Sequence, residues 1–310
     1  MSEITAQRIV LNAPIQGVPK LSDFRFETFQ LSELLDGQFL IRNVYCSVDP
    51  GTRSRLSAGV SYTANLKAGE MISSFAMGWV SASKHPKYSK GTWVVHASGW
   101  ADLQISDGRG YLQKIDPRWV ESGLSLDARG TTTSSNLAKR GVALSTRIGV
   151  LGIPGMTAWF GMKRVGEVSE GSRVLITSAA CPEGFDVLFD NVGNSMIDLA
   201  IPLLRPRARI VVSGQVADYN RSAADMPGLF NTRHFIAKRL RMEGILVFDD
   251  LKQFSIAQEQ IATWIEQDQF AWKEELFEGI HAMPAAFIGL FTGQSFGRRI
   301  VQVGSIGAET

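Results

Sequence analysis

The sequence predicts an α/β protein built from a β-rich first domain and a doubly wound parallel sheet with helices on both faces. Three observations support this prediction. Short β-branched and aromatic runs, separated by turn residues, fill the first third of the chain. Strand-like and helix-like segments then alternate along the second half. The strand-like segments of that half are continuously apolar, which is typical of strands buried on both faces, and 310 residues provide enough chain for two domains.

The first domain is predicted from its short strands. Glycine, proline, aspartate and serine separate the runs, as in strands joined by turns. The runs cover residues 8–11, 38–48, 78–82, 92–96 and 101–105. Their spacing predicts a compact barrel or sandwich, and we place this domain at residues 1–147.

Residues 118–146 form a polar stretch with little periodicity, which predicts a surface loop or a poorly ordered insertion. Apolar residues then recur at helical intervals over residues 149–165, after a Pro-Gly pair. This pattern predicts a helix that links the two domains. We place the second domain at residues 148–280 and a segment that returns to the first domain at residues 281–310.

The second domain is predicted from alternating strands and helices. Helices are expected at residues 195–204, 232–239 and 251–267, and strands at residues 209–213 and 242–247. Strand character returns at residues 297–303, which suits a last strand of the first domain. Alternation of this kind favours a doubly wound sheet.

The junction at residues 180–184 conflicts with that simple scheme. Two apolar runs, residues 173–179 and 185–191, meet across these five residues. Parallel neighbours need a crossover of about a dozen residues or more, usually a helix. The sequence therefore predicts either an antiparallel hairpin turned by Pro182-Glu183-Gly184 or the absence of a piece of the fold between Ala180 and Gly184.

Composition excludes several classes of partner. The 32 basic and 30 acidic residues are interleaved and leave a net charge of +2, so neither nucleic acid nor a membrane surface is expected as a partner. No run approaches the roughly 18 apolar residues of a membrane span, and the N-terminus does not resemble a secretory signal. We expect a cytoplasmic protein.

A metal site is not predicted. Cys46 and Asp49 lie close together in sequence, but the four histidines show no ligand spacing with Cys46 or Cys181. The alternative that we favour for Cys46 is a buried small side chain that packs as an apolar group.

Several motifs together resemble the zinc-independent medium-chain dehydrogenases/reductases, and most closely the prostaglandin reductases, leukotriene hydroxydehydrogenases and curcumin reductases. The motifs occur in the family's order and cover most of the chain outside residues 118–146. They are residues 44–50 (VYCSVDP), 53 and 55, 115–117, 149–161, 189–193 (FDNVG), 205–209 (RPRAR), 214, 219–220 and 287–297 (FIGLFTGQSFG). The resemblance implies a GroES-like catalytic domain, a Rossmann nucleotide-binding domain and a homodimer.

The resemblance also implies what is absent at the junction. In relatives, a phosphate-binding loop, a helix and further strands lie between the strands that match residues 173–179 and 185–191. At ~30 residues per βαβ unit, on the order of fifty to sixty residues are missing here. They include the helix that receives the pyrophosphate and the residue that selects NADPH over NADH, so that choice stays open.

The resemblance implies hydride transfer from NADPH to the double bond of an α,β-unsaturated ketone or aldehyde, without metal. Tyr219 is the predicted catalytic hydrogen-bond donor beside the nicotinamide, because a phenol is protonated at neutral pH; the alternative is a ring that packs at a domain interface. Tyr62 is a second candidate for a catalytic and substrate-binding residue. Arg53, with Arg55, is a candidate for binding an acidic substrate tail, or else for interdomain salt bridges.

Further residues match positions that contact the cofactor in relatives. They are Thr157, Asn191, Gly193, Gly214, Ile245, Val247 and Ser295. Ser295 stands where relatives have asparagine, and Gly51 stands where close relatives often have tyrosine. Two other functions stay open: a zinc-free alcohol or quinone oxidoreductase, and a cofactor-free binding protein if the missing segment is truly deleted.

Overall fold

The computed structural model describes residues 4–58, 61, 63–115, 144–176, 183–267 and 269–305. The chain divides into two compact units. Unit 1 comprises Met1–Gly152 and Ile261–Thr310, and unit 2 comprises Ile153–Gln260. Residues 261–280, which we expected in the nucleotide-binding domain, therefore group with unit 1.

The predicted strands and helices occur in the predicted order. The strands are β1 Ile4–Leu11, β2 Phe24–Leu31, β3 Phe39–Ser47, β4 Ala76–Ser83, β5 Trp93–His96, β6 Leu103–Ser106, β7 Leu112–Lys114, β8 Val174–Ile176, β9 Phe185–Asp190, β10 Leu204–Val212, β11 Arg241–Gly244, β12 Glu274–Glu278 and β13 Arg298–Gln302. The α-helices are α1 Thr52–Arg55, α2 Ile153–Phe160, α3 Asn194–Ala200, α4 Arg233–Lys238, α5 Phe254–Glu266 and α6 Met283–Ile288. The structure thus adds β2, β7, β12, α1 and α6, which were not predicted from the sequence. No described helix is long and apolar enough to cross a membrane.

Unit 1 is built around a seven-stranded sheet. Its strand order is β12-β13-β3-β4-β5-β7, and β6 pairs with β3. Strands β1 and β2 form a separate antiparallel ribbon. The strand β13, near the end of the chain, pairs antiparallel with β3 of this unit. Its core contains the stacked rings of Phe24 and Trp100, whose centroids are 5.7 Å apart, and Phe287, which is fully buried.

Unit 2 is built around a four-stranded parallel sheet with the order β11-β10-β9-β8. Apolar residues line both faces, which explains why its strands read as continuous apolar runs. On one face, Leu175, Leu188 and Ile210 pack with Ile197 of α3. On the other face, Val187 and Val211 pack with Val165, in the wide helical turn that continues α2. The predicted fold class is confirmed.

The hairpin alternative for the junction is wrong, because β8 pairs parallel with β9. Leu175 lies opposite Leu188, and Ile176 lies opposite Phe189. Only Val174–Ile176 form the described strand β8, so at ~3.3 Å per residue the chain has to retrace a strand of only about 10 Å. Residues 177–184 can therefore connect the two strands, although residues 177–182 lie outside the described residues.

The surface-loop prediction falls mostly on residues 118–143, which lie outside the described residues. It is wrong for residues 144–146, which are buried. Leu144 packs against Val44 and Ile300, and the Ser145 hydroxyl donates a hydrogen bond of 2.6 Å to Glu274 Oε2. These partners are distant in sequence, so local polarity did not indicate the burial.

Candidate functional site

The predicted site residues of unit 2 meet where strands β9 and β10 end. Residues 191–193, the β9 loop, follow β9, and residues 213–220, the β10 loop, follow β10. Backbone hydrogen bonds join the two loops: Val216 N donates to Asn191 O at 3.0 Å, and Ala217 N donates to Val192 O at 2.9 Å. Because parallel strands end at the same sheet edge, where α/β proteins bind ligands, the loops form one candidate surface.

Asn191, Gly214 and Tyr219 converge at this edge. A Cβ atom on Gly214 would lie 2.2 Å from Asn191 Oδ1 and 3.2 Å from the Tyr219 hydroxyl oxygen. Glycine is therefore required for the close approach of the two side chains. Asn191 precedes Gly214 by 23 positions, and Tyr219 follows it by 5. The structure thus brings together three residues that are separated along the chain.

Gly193 shapes the β9 loop. Its φ of 136° and ψ of −175° lie in a region that essentially only glycine adopts. A Cβ atom there would lie 2.2 Å from Asp218 Oδ2. The same carboxylate oxygen accepts a hydrogen bond from Asn194 N at 3.2 Å. The β9 loop therefore fits against Asp218 only because residue 193 has no side chain.

Two buried aspartates hold these loops, and the sequence analysis missed both. Asp190 and Asp218 are 0% and 5% exposed. Asp190 Oδ2 accepts hydrogen bonds from Gly193 N at 2.9 Å and Val192 N at 3.2 Å. An acidic residue at the end of an apolar run, as Asp190 is after Phe185–Phe189, is the signal that could have identified it.

Burial determines the electrostatics of this edge. Burial raises the pKa of Asp190 above its ordinary value, and the nearby charge of Asp218 raises it further, against the lowering effect of the loop hydrogen bonds. Asp190 Oδ1 is buried and has no hydrogen-bond partner among the described residues. Burial also raises the pKa of Tyr219 above its usual range. The phenol is consequently protonated at neutral pH and can donate a hydrogen bond.

The other predicted residues of unit 2 have different environments. Ile245 follows β11, and its N–H donates to Val212 O at 3.0 Å, so it lies beside the end of β10. The Val247 side chain is buried, with 5% exposure. The Thr157 hydroxyl donates to Ile153 O at 2.8 Å within helix α2. Their proposed contacts with a cofactor stay predictions.

Among the described site candidates, Arg53 and Ser295 belong to unit 1. Arg53 is 2% exposed, and its Nη2 donates to Gly17 O at 2.7 Å and to Ile15 O at 3.3 Å. The guanidinium thus holds the chain that follows β1, and its role in substrate binding stays a prediction. Ser295 is exposed, and its hydroxyl donates to Gly297 O at 3.3 Å. Tyr62 lies outside the described residues.

Within the described part of the chain, no three His, Cys, Asp or Glu residues lie close enough to hold a metal ion. Cys46 is buried, and burial raises the pKa of its thiol to about 12. A protonated thiol is a poor metal ligand. Asp49, its neighbour in sequence, pairs with Arg298 at 2.6 Å.

Loops at the carboxyl edge of a parallel sheet, in a chain that has a second unit, are an arrangement typical of α/β proteins that bind nucleotides. Residues 7–115 match the family described as the N-terminal domain of oxidoreductase. The structure is similar to the crystal structure of CurA in complex with NADPH from Vibrio vulnificus, with a TM-score of 0.79, 25% identity and coverage of 97% of this chain and 100% of that chain.

Similarity to reductases of known name extends over nearly the whole chain. The chain is 27% identical to the NADPH-dependent curcumin reductase of Escherichia coli, with 96% of each chain covered. It is 26% identical to prostaglandin reductase 1 of Bos taurus, covering 96% of this chain and 99% of that protein. It is 26% identical to the NADP⁺-dependent 2-alkenal reductase of Nicotiana tabacum, covering 97% and 98%. The predicted resemblance to these medium-chain reductases is confirmed.

The comparison also concerns the length of the chain. The alignment with the E. coli curcumin reductase extends over 362 residues, which exceeds the 310 residues of this chain. The relative therefore contains internal residues with no counterpart here. The excess of 52 alignment positions has the same order as the fifty to sixty residues that the resemblance implies are absent.

Proposed function

We propose that this protein is an NADPH-dependent oxidoreductase that reduces the carbon–carbon double bond of α,β-unsaturated ketones or aldehydes without a metal. The observation that carries the proposal is the convergence of Asn191, Gly214 and Tyr219 at the carboxyl edge of the parallel sheet. Similarity over the whole chain to a 2-alkenal reductase and a curcumin reductase supports the choice of substrate class.

The described residues fit the nicotinamide end of the cofactor. At Gly193 and Gly214, the absence of a Cβ atom allows Asp218 Oδ2 and Asn191 Oδ1 to pack against the backbone, which fixes the loops at the strand ends. Asn191 is exposed and can offer its amide to a ligand. Asn191, Gly193, Gly214 and Ile245 would hold the nicotinamide. When bound, NADPH supplies the hydride.

Tyr219 is the proposed catalytic residue. Reduction of an enone places negative charge on the carbonyl oxygen, and a hydrogen-bond donor positioned there lowers the barrier. The Tyr219 hydroxyl is protonated at neutral pH, because burial raises its pKa. It can therefore donate to that oxygen, while the α-carbon takes a proton from solvent.

An assay of the purified chain tests the proposed function. We expect NADPH to be consumed when an enone or a 2-alkenal is added, and mass spectrometry to show the saturated carbonyl compound as product. A chelator should leave the rate unchanged. Two outcomes would contradict the proposal: oxidation of NADPH with a quinone but not with an enone, and reduction of the carbonyl group to an alcohol. Either outcome would favour the alternative of a zinc-free alcohol or quinone oxidoreductase. Absence of any turnover would favour a binding protein.

We also propose a homodimer formed through the β11 edge of the sheet. All four residues of β11 are exposed, and exposed strand edges readily pair with another chain. Exposed apolar side chains lie on or near this strand, with Ile236 at 85%, Met242 at 38% and Leu246 at 40% exposure. Sedimentation equilibrium should show a dimer for the native chain and a shift toward monomer for Met242→Lys. A native chain that is already monomeric at micromolar concentration would contradict this arrangement.

A further inference from the structure

The parallel sheet of unit 2 contains, among the described residues, only part of the strand order of a dinucleotide-binding domain. The common order is 3-2-1-4-5-6. Strand β8 begins the unit's sheet and pairs parallel with β9, after which β10 and β11 follow in order. The four strands therefore match positions 1, 4, 5 and 6. Within the described ranges, no strand lies at positions 2 and 3.

The missing positions are those that recognise the adenosine end of a dinucleotide. In this fold, the pyrophosphate binds at the N-terminus of the helix after strand 1, and a residue ~20 positions further on contacts the adenosine ribose or its phosphate. Here residues 177–184 are all that lie between β8 and β9. Eight residues are too few for a helix and two strands, since one βαβ unit needs about 30 residues.

The exposed edge of β8 agrees with this interpretation. Ile176, the last residue of β8, is 60% exposed, although it belongs to an apolar run. In a complete sheet of this order, strand 1 is central and its residues are covered. Strand β8 is instead at the edge of the described sheet.

Two described arginines beside β8 and β9 form ion pairs with carboxylates. Arg173 forms an ion pair with Glu183, and Arg205 pairs with Asp186 at 3.0 Å. A guanidinium that selects an adenosine phosphate must be able to bind that phosphate. These two ion pairs therefore do not compensate for the missing segment.

The nicotinamide end of the site is retained, since it depends on the loops after β9 and β10. We propose that this chain recognises only the nicotinamide mononucleotide part of its cofactor. It would then accept reduced nicotinamide mononucleotide, NADH and NADPH nearly equally, without selection for the adenosine phosphate. This inference rests on the proposed function, because it concerns the same site.

Equilibrium titration of the intact protein tests the inference independently of turnover. The ligands are NADPH, NADH, reduced nicotinamide mononucleotide and 2′,5′-ADP, with binding followed by calorimetry. We expect the three reduced nicotinamides to have Kd values within about threefold of each other and 2′,5′-ADP not to bind. NADPH binding about tenfold or more tightly than the mononucleotide, or binding of 2′,5′-ADP, would overturn the inference while leaving the reductase proposal intact.

The remaining outcomes separate the two proposals. Equal binding of all three nicotinamides without reduction of enones would support the inference and contradict the reductase activity. No binding of any nicotinamide would overturn both.

A matched pair of variants shows which site is being titrated. Gly214→Ala should raise the Kd of all three reduced nicotinamides by the same factor, because its Cβ atom would lie 2.2 Å from Asn191 Oδ1. Gly228→Ala is the control, since its Cβ atom would approach only the Phe230 ring, at 3.8 Å. The inference would also be overturned if Gly214→Ala weakened the binding of NADPH and left the binding of the other two nicotinamides unchanged.

Discussion

Replacing Tyr219 by phenylalanine is expected to lower kcat for enone reduction about 10²- to 10³-fold, the usual effect of removing a donor to a developing oxyanion. The hydroxyl lies beside Gly214, at the sheet edge where Asn191 also points. Phenylalanine keeps the ring and removes only this donor, so the fold and KM for the nicotinamide donor should change little. Steady-state kinetics with an enone measures both quantities.

The pH profile distinguishes a catalytic Tyr219 from a ring that merely packs. The protonated phenol is the active form, and burial raises its pKa above the ordinary value. The native protein should therefore keep its activity up to about pH 10, the ordinary pKa of tyrosine, and lose it only above that value. The Tyr219→Phe variant should lack this alkaline loss. A variant that retains native kcat would show that Tyr219 only packs and that another group donates the hydrogen bond.

Replacing Gly193 by alanine is expected to destabilise unit 2 by about 1–3 kcal/mol, the cost of a non-glycine residue in this backbone region. The new Cβ atom would also lie 2.2 Å from Asp218 Oδ2, so the loop or the carboxylate must move. Movement of the β9 loop displaces Asn191, and we expect cofactor affinity to fall at least about tenfold. Urea denaturation and titration with reduced nicotinamide measure the two effects.

Gly228→Ala again provides the control for Gly193→Ala. Gly228 lies in the same unit, and its surroundings can accept a methyl group. The Gly228→Ala variant should unfold at nearly the same urea concentration as the native protein and bind the cofactor with native affinity. If Gly193→Ala behaves in the same way, the β9 loop tolerates a side chain and does not determine cofactor binding.

The kinds of element and the candidate site residues could be predicted from the sequence. Continuous apolar runs such as 185–190 indicate strands covered on both faces, because burial selects the residue types directly. Turn residues mark the ends of such strands, and the motifs around Asn191, Gly193 and Gly214 resemble cofactor-contacting positions of a known family. These features are local along the chain, and local patterns are what a single sequence contains.

Which elements lie beside each other is seen in the folded structure and could not be predicted from the sequence. The parallel pairing of β8 with β9, the burial of residues 144–146 and the contacts of Arg53 with the carbonyl groups of Ile15 and Gly17 all involve partners outside the local pattern. The support of the β9 loop by Asp218 is of the same kind, as it comes from the neighbouring loop. An apolar run shows that a strand is buried but not which strand lies beside it, since the same side chains pack equally well against several partners.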